Sequence, residues 1–148
     1  MTTDSPVFLV DIDGVLNNIY SVRRFGDYRL DPRCVNVFRN LVETFHAEIV
    51  ITSTRRGKTG WKESIENALS EAGWKGVHIL DCIPMLGLND RMAEINDWLK
   101  NHSVSKYIIF DDYAIFGRYA PAYFIKTSYL LGGLRQKHIP KITAILSR

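Results

Sequence analysis

The chain has 148 residues, of which 46% are hydrophobic and 24% charged, and its formal net charge at pH 7 is +3. This length and balance fit one globular domain with its own core and exclude an intrinsically disordered chain. They also exclude a membrane span, because no apolar run approaches the roughly 18 residues that one needs. The N-terminus has no basic region before its short apolar stretch, so we expect no signal peptide.

The cysteines and histidines predict neither a disulfide framework nor a zinc site. Cys34 and Cys82 form no C-x-x-C motif, and the four histidines are scattered along the chain. A disulfide scaffold would use more cysteines, and a zinc site would place its ligands at characteristic short spacings. We therefore expect two reduced thiols and a cytoplasmic protein.

The predicted elements alternate between strands and helices. Val7–Val10 is a continuous apolar run, typical of a strand buried on both faces. Asp31 and Pro32 then form a helix N-cap and first helical position, and apolar residues follow at helical spacing as far as Phe45. Further strands are predicted at residues 48–52, 77–80, 107–110 and 122–125, and further helices at about 61–72, 90–101 and 140–146. This alternation predicts a single α/β domain over residues 1–148, with a mostly parallel sheet under helices on both faces.

Charged and polar side chains follow three of these strands. They are Asp11 and Asp13 after the first strand, Thr52 at the end of the second, and Asp111 and Asp112 after the fourth, with Arg91 at the start of the preceding helix. We expect them to converge, because parallel strands bring their carboxyl ends to one edge of a sheet. Four carboxylates so close together raise each other's pKa, and a hard divalent cation such as Mg²⁺ relieves that repulsion. Gly14 tolerates the bend that would bring both Asp11 and Asp13 to this edge.

The stretch VDIDGVLN at residues 10–17 resembles the first motif of the haloacid dehalogenase (HAD) superfamily of phosphohydrolases. Thr52 matches the second motif, Arg91 the third, and Asp111-Asp112 the double-aspartate form of the fourth. These motifs occur in order and span nearly the whole chain. The stretches around Thr52, Arg91 and Asp111 are more similar to a small HAD branch found alone or fused to nucleic-acid repair modules. The resemblance implies a Rossmann-like domain with a five-stranded sheet of order 3-2-1-4-5 and no large cap.

The resemblance also implies a Mg²⁺-dependent phosphatase, which is a phosphoric monoester hydrolase. Asp11 would be the nucleophile that forms an aspartyl-phosphate, and Asp13 would protonate the leaving group and then activate water. Asp11, Asp13 through its backbone carbonyl, and Asp111 or Asp112 would bind Mg²⁺. Which of Asp111 and Asp112 binds the metal directly stays open.

Other residues would contact the phosphate. By the resemblance, Thr52 would donate a hydrogen bond to a phosphoryl oxygen, and Arg91 would offset the negative charge of nucleophile and phosphate. A strand end that slips by one residue would put Ser53 in the place of Thr52, so both stay candidates. Gly14 is a further candidate for substrate contact, because a glycine lets the backbone approach a ligand.

The spacing of the motifs leaves no room for a folded cap between them, so we expect an open site. An open site suits large substrates such as nucleic-acid ends or phosphoproteins. The substrate that we expect is a nucleic-acid end or a nucleotide. Arg23 and Arg24 lie in a segment with aromatic residues that is expected to form a flap, and Arg55 and Arg56 lie on an adjacent loop. Arginines interleaved with aromatics suit phosphate contacts and base stacking. A solvated loop with aromatics tucked beneath it is an equally good interpretation of that segment.

Other functions stay open at this point. One is a non-catalytic binding module that keeps the acidic pocket, and another is a small-molecule phosphatase that a partner subunit covers. A kinase is disfavoured: Gly57-Lys58-Thr59 is similar to the end of a P-loop, but Thr52 stands where that loop needs glycine. Trp61, Trp74 and Trp98 are expected to pack in the core rather than contact a substrate. The sequence does not predict an oligomeric state.

Overall fold

The computed structural model describes residues 2–87, 90–113 and 122–148. The strands are β1 (Thr2–Thr3), β2 (Val7–Val10), β3 (Glu48–Ile51), β4 (Asp81–Cys82), β5 (Ser103–Val104), β6 (Tyr107–Asp111) and β7 (Phe124–Lys126). The helices are α1 (Ile19–Phe25), α2 (Pro32–Phe45), α3 (Trp61–Glu71), α4 (Arg91–Lys100) and α5 (Ile139–Leu146), and 3-10 turns lie at Thr54–Gly57 and Gln136–His138.

Five of these strands form one sheet in the order β4-β3-β2-β6-β7, and every neighbouring pair is parallel. Counted in chain order within the sheet, this is the order 3-2-1-4-5, so the expected fold is confirmed. A second, two-stranded sheet pairs β1 with β5, which the sequence pattern does not predict. None of the described helices combines the length and the apolar character that crossing a membrane requires.

The central strand β2 is buried on both faces, because none of its four residues is exposed to solvent. Phe8 and Val10 face one core cluster, which α2, α3 and α5 cover, and Val7 and Leu9 face a second cluster, which α4 covers. An uninterrupted apolar strand is what burial between two helical layers requires. The two helical layers cover the faces of the sheet, and the polar residues that follow the strands lie at its carboxyl edge.

The third strand of the sheet lies later than predicted. Pairing with β3 joins Val50 to Asp81 and Ile51 to Cys82, whereas the apolar pattern predicts a strand at residues 77–80. Val77 and Ile79 are buried in the core even though they lie outside the paired strand. Their apolar character therefore reports burial and not strand pairing. The fifth strand is likewise shifted, from a predicted 122–125 to Phe124–Lys126.

The segment expected to form a flap contains the helix α1. Asn18 caps it, since its side-chain oxygen accepts hydrogen bonds from the backbone N–H groups of Tyr20 and Ser21. The amide nitrogen of Asn18 donates to Asp31, at 2.7 Å, and to the carbonyl of Gly132, at 3.1 Å. A buried amide thus joins α1 to the start of α2 and to the loop after β7.

Candidate active site

Backbone hydrogen bonds align the strand ends at the carboxyl edge of the sheet. The N–H of Asp11 donates to the carbonyl of Phe110, and the N–H of Thr52 donates to the carbonyl of Val10, both at 3.0 Å. Asp11 therefore lies beside the end of β6, and Thr52 lies beside the residue that precedes Asp11. The parallel register brings the first, second and fourth sequence motifs together, as the sequence predicts.

Asp11, Asp111 and Asp112 form a cluster of carboxylates, with one oxygen from each lying within 4.8 Å of the others. Arg91 begins α4 and reaches this cluster: its Nη1 lies 3.1 Å from Oδ2 of Asp11 and 2.9 Å from Oδ2 of Asp111. One guanidinium nitrogen is thus shared between the predicted nucleophile and a predicted metal ligand. The side chain of Arg91 is 19% exposed and that of Asp111 only 1%, so water screens these charges weakly.

The cluster carries more negative charge than Arg91 neutralises. Burial, followed by the charge of Asp111, raises the pKa of Asp11 to about 7, although Arg91 opposes the change. Burial and Asp111 also raise the pKa of Asp112. Burial disfavours the charged form of Arg91, but Asp11 and Asp111 outweigh it and raise the pKa of that guanidinium. An all-oxygen donor set with unneutralised charge fits a hard divalent cation such as Mg²⁺.

Asp13 lies at the rim of the site, and its carboxylate is not part of this cluster. Its Oδ1 accepts hydrogen bonds from Nη2 of Arg55, at 2.7 Å, and from Nδ2 of Asn17, at 2.9 Å. Burial alone would raise the pKa of Asp13, but the hydrogen bonds from Arg55 and Asn17 hold it below its ordinary value. The side chain is 56% exposed, so it faces solvent and any ligand that enters from outside.

Gly14 is required at the bend between the first strand and the cluster. Its φ is +83°, and a Cβ at this position would lie 2.1 Å from Oδ2 of Asp112. The carbonyl of Gly14 accepts a 2.6 Å hydrogen bond from the buried hydroxyl of Thr127. No sequence motif points to Thr127, although its position directly after β7 parallels that of Thr52 after β3. Thr127 fixes the bend and Gly14 leaves space for Asp112.

The two candidate hydroxyls after β3 have different surroundings. Oγ of Ser53 accepts a hydrogen bond of 3.2 Å from the N–H of Arg55 and so caps the 3-10 turn. Oγ1 of Thr52 is buried and has no hydrogen-bond partner among the residues that the structure describes. A buried hydroxyl without a partner costs about 1–3 kcal/mol. The geometry therefore favours Thr52 over Ser53 as the group that donates to a ligand.

Arg56 differs from the sequence-based expectation that it binds substrate. Its side chain is 1% exposed and forms a 2.8 Å ion pair with Glu94. It also donates hydrogen bonds to four backbone carbonyls, those of Thr52, Ser53, Ile83 and Pro84. Arg56 therefore holds the loop after β3 in place from inside the protein. Sequence reasoning does not identify Glu94, because nothing in its spacing distinguishes a buried partner from an exposed helical acid.

The remaining predicted arginines lie outside the carboxylate cluster. Nη2 of Arg55 donates hydrogen bonds to Asp13 and, at 2.9 Å, to the backbone carbonyl of Asp27. Arg23 and Arg24 are exposed in the last turn of α1, where Arg24 lies 5.3 Å from the centre of the Phe25 ring. Arg55 is thus placed at the rim beside Asp13, whereas a substrate contact by Arg23 or Arg24 stays a prediction.

Comparison with known proteins gives a family match over most of the chain. A family model described as the HAD domain in Swiss Army Knife RNA repair proteins matches residues 7–139. This range includes all five strands of the main sheet and the residues of the carboxylate cluster. No curated protein and no solved structure matches the chain.

Proposed function

Because the chain belongs to the family of HAD domains found in Swiss Army Knife RNA repair proteins, we propose that it is a Mg²⁺-dependent phosphatase that hydrolyses phosphoric monoesters. The observation that carries the proposal is the cluster of Asp11, Asp111 and Asp112 with Arg91 shared inside it. The cluster combines a nucleophile, a fixed cation and the donor set of a hard metal ion. A non-catalytic module would need none of this shared geometry around Asp11.

Asp11 and Asp13 divide the chemistry between them in this proposal. A carboxylate oxygen of Asp11 attacks phosphorus, the bond from phosphorus to the ester oxygen breaks, and an aspartyl-phosphate forms. Asp13 gives a proton to the departing oxygen and then accepts one from the water that hydrolyses the aspartyl-phosphate. The hydrogen bonds from Arg55 keep the pKa of Asp13 low, so Asp13 must first leave Arg55 and take up a proton from solvent before it can donate to the leaving oxygen. Its exposed position permits that exchange.

Thr52 and Arg91 supply the contacts to the phosphoryl group. The unpartnered hydroxyl of Thr52 donates to a phosphoryl oxygen, and Arg91 offsets the charge that Asp11 and the phosphate bring together. Asp11 and Asp111 or Asp112 would hold Mg²⁺, which would supply further positive charge to offset the phosphoryl oxygens. Arg56 and Glu94 contribute indirectly, because they fix the loop that carries Thr52.

The substrate that we propose is a phosphorylated nucleic-acid end or nucleotide. Between Asn17 and Thr52 the chain forms α1, α2 and β3, which leaves no folded cap over this side of the site. The family association with RNA repair supports a nucleic-acid substrate, and so does the cation Arg55 at the rim. An open entrance admits the end of a long strand as readily as a mononucleotide.

A substrate screen tests the proposal. Phosphate release is measured on 3′- and 5′-phosphorylated oligonucleotides, on mononucleotides and on small non-nucleoside phosphate esters, with Mg²⁺ or with EDTA. We expect Mg²⁺-dependent release from the nucleic-acid substrates, none from Asp11→Asn, and unchanged release from Asp4→Asn, which alters an exposed carboxylate outside the cluster. Turnover of only the small esters would refute the nucleic-acid substrate. No turnover of any ester would refute the phosphatase and favour a binding module.

A further inference from the structure

A cleft of about 370 Å³ opens beside Asp13, outside the carboxylate cluster. Its walls include Tyr28, Arg55, Lys58 and Trp61, together with Asp13. Its volume lies in the range of about 300–1,000 Å³ that is usual for pockets that hold small organic ligands. The chemistry described so far does not use this cleft.

Two aromatic side chains give the cleft flat surfaces. Tyr28 is 78% exposed, and Trp61 is half-buried at the start of α3. Trp74 and Trp98 are buried at 7% and 3% exposure, as the sequence analysis expects. Trp61 also packs against the core, but it is only partly buried there and it lines the cleft as well. Exposed tyrosine and tryptophan rings are surfaces on which nucleobases stack without regard to sequence.

Two cations stand beside these rings. Arg55 is held between Asp13 and the carbonyl of Asp27, and Lys58 is exposed directly after the 3-10 turn. Asp13 and Asp27 also line the cleft, and Asp13 is paired with Arg55, so Lys58 is the cation that an incoming phosphate would meet. Stacking surfaces beside such a cation match a nucleotide, which joins a flat base to an anionic phosphate. Arg55 already has a counter-charge in Asp13, whereas a purely apolar ligand would leave Lys58 without one, so such a ligand fits the cleft less well.

We propose that this cleft is the subsite for the terminal nucleoside that carries the phosphate to be removed. The inference rests on the proposed function, because Asp13 protonates the leaving oxygen and the leaving group must therefore begin beside Asp13. The base then stacks against Trp61 and Tyr28, and Lys58 lies near the sugar-phosphate part.

The neighbouring surface limits the subsite to one nucleoside. A second depression shares Tyr28 and Ser64 with the cleft and continues along α3, where Glu63 and Glu71 line it. Unlike the cleft, this depression has no lysine or arginine among its lining residues to offset its carboxylates. Its carboxylates repel a phosphodiester backbone, so a strand does not continue along α3. The cleft therefore holds the last nucleoside, and the rest of a strand leaves the protein on another side.

Matched oligonucleotides test the subsite. Each pair carries a terminal 3′- or 5′-phosphate and differs only in whether the terminal residue has a base or is abasic. We expect kcat/KM to be about tenfold higher with the base, in line with the contribution of one stacked base. Tyr28→Ala and Trp61→Ala should reduce that ratio toward one, whereas Trp61→Phe should preserve it. Equal kcat/KM for the paired substrates of the wild-type protein would overturn the subsite and leave the phosphatase standing.

A binding measurement separates the subsite from catalysis. Asp11→Asn protein is titrated with adenosine 3′- and 5′-monophosphate and with ribose 5-phosphate, and tryptophan fluorescence is recorded. The subsite predicts that the nucleotides quench the fluorescence and that ribose 5-phosphate does not. The quenching should be lost in the Asp11→Asn, Trp61→Phe double variant. These results would support the subsite even if no ester is turned over. Equal responses to the nucleotides and ribose 5-phosphate would refute it. If Trp61→Ala does not fold, Tyr28→Ala decides the outcome, with Tyr20→Ala as the matched control of an exposed tyrosine that does not line the cleft.

Discussion

The guanidinium of Arg56 lies 2.8 Å from the carboxylate of Glu94, and both side chains are buried, with exposed fractions of 1% and 10%. Arg56 also donates to the carbonyl of Thr52, and Glu94 lies one turn after Arg91 on α4. The pair thus fixes the loop of one proposed phosphate contact relative to the helix of another. The ion pair holds the loop and the helix in fixed relative positions, because neither buried charge can exchange its partner for water.

Removing one partner of this pair should destabilise the protein strongly. Arg56→Ala or Glu94→Ala leaves a buried charge without compensation, which lowers the free energy of unfolding by about 3–5 kcal/mol. Glu94→Gln should lower it less, because the amide oxygen still accepts a hydrogen bond. Urea denaturation measures the effect. The control is Arg39→Ala, which breaks a pair with Glu43 whose side chains are 41% and 57% exposed and should change stability by at most about 0.5 kcal/mol. A loss in Arg56→Ala no larger than in this control would contradict the prediction.

Removing the hydroxyl of Thr52 should mainly lower activity, whereas removing that of Ser53 should mainly lower stability. Thr52→Val removes a buried group without a described partner, so stability should stay the same or rise while phosphatase activity falls. Ser53→Ala removes a cap and should lower the free energy of unfolding by roughly 1 kcal/mol with a smaller loss of activity. Thermal denaturation and phosphate release on the same preparations make the comparison. Full activity in Thr52→Val would exclude Thr52 as the phosphate ligand.

Gly14 and Gly26 form a matched pair for testing the contact with Asp112. Both have positive φ, +83° and +90°, so an alanine strains the backbone in each. A Cβ at Gly14 collides with Asp112, whereas a Cβ at Gly26 meets nothing within 4 Å. Gly14→Ala should therefore weaken Mg²⁺ binding and abolish activity, and Gly26→Ala should lose only stability. Isothermal titration with Mg²⁺ measures the difference, and equal Mg²⁺ affinity in the two variants would refute it.

The pKa of Asp11 predicts how the stability of the metal-free protein depends on pH. Burial and Asp111 raise this pKa from 3.8 to about 7, so between these values the folded state holds a proton that the unfolded chain has lost. The free energy of unfolding should therefore fall as pH rises through this window, and the loss is complete above it. Thermal melts in EDTA measure the slope, which Asp11→Asn should reduce.

The same pKa predicts the pH dependence of metal binding. Mg²⁺ favours the ionised carboxylate, so its binding displaces the proton that Asp11 holds below pH 7. The rise in Tm caused by Mg²⁺ should be larger at pH 8 than at pH 5.5. A rise of the same size at both pH values would mean that Asp11 does not ligate the metal.

The convergence at the carboxyl edge was predictable from sequence, because it follows from strand identity and parallel pairing. Asp11 and Asp111 directly follow apolar runs in the sequence. The parallel register of β2 and β6 then places the ends of these runs side by side. The strand order and the helices on both faces follow from the same alternation together with the family resemblance. These features depend on the order of strands and helices along the chain, so a sequence pattern can predict them.

Features that depend on side chains meeting across the fold could not be predicted. Arg56 looks like a surface arginine in sequence, and only the arrival of Glu94 from α4 makes its burial favourable. The helix α1 is seven residues long, too short to be stable by itself, and its cap Asn18 draws support from Asp31 and Gly132. Asp13 lies at the rim and accepts hydrogen bonds from Arg55, which lies on another loop. No local sequence pattern predicts these contacts between distant parts of the chain.

The hydroxyl of Thr52 and the crowded carboxylates around Asp11 share a thermodynamic property: both are less favourable in the empty domain than in the occupied one. Any ligand that satisfies them binds the folded chain and not the unfolded chain, so occupancy and folding are linked by mass action. Under the proposed function, the concentrations of metal and substrate would therefore set how long the domain survives proteolysis as well as how fast it turns over.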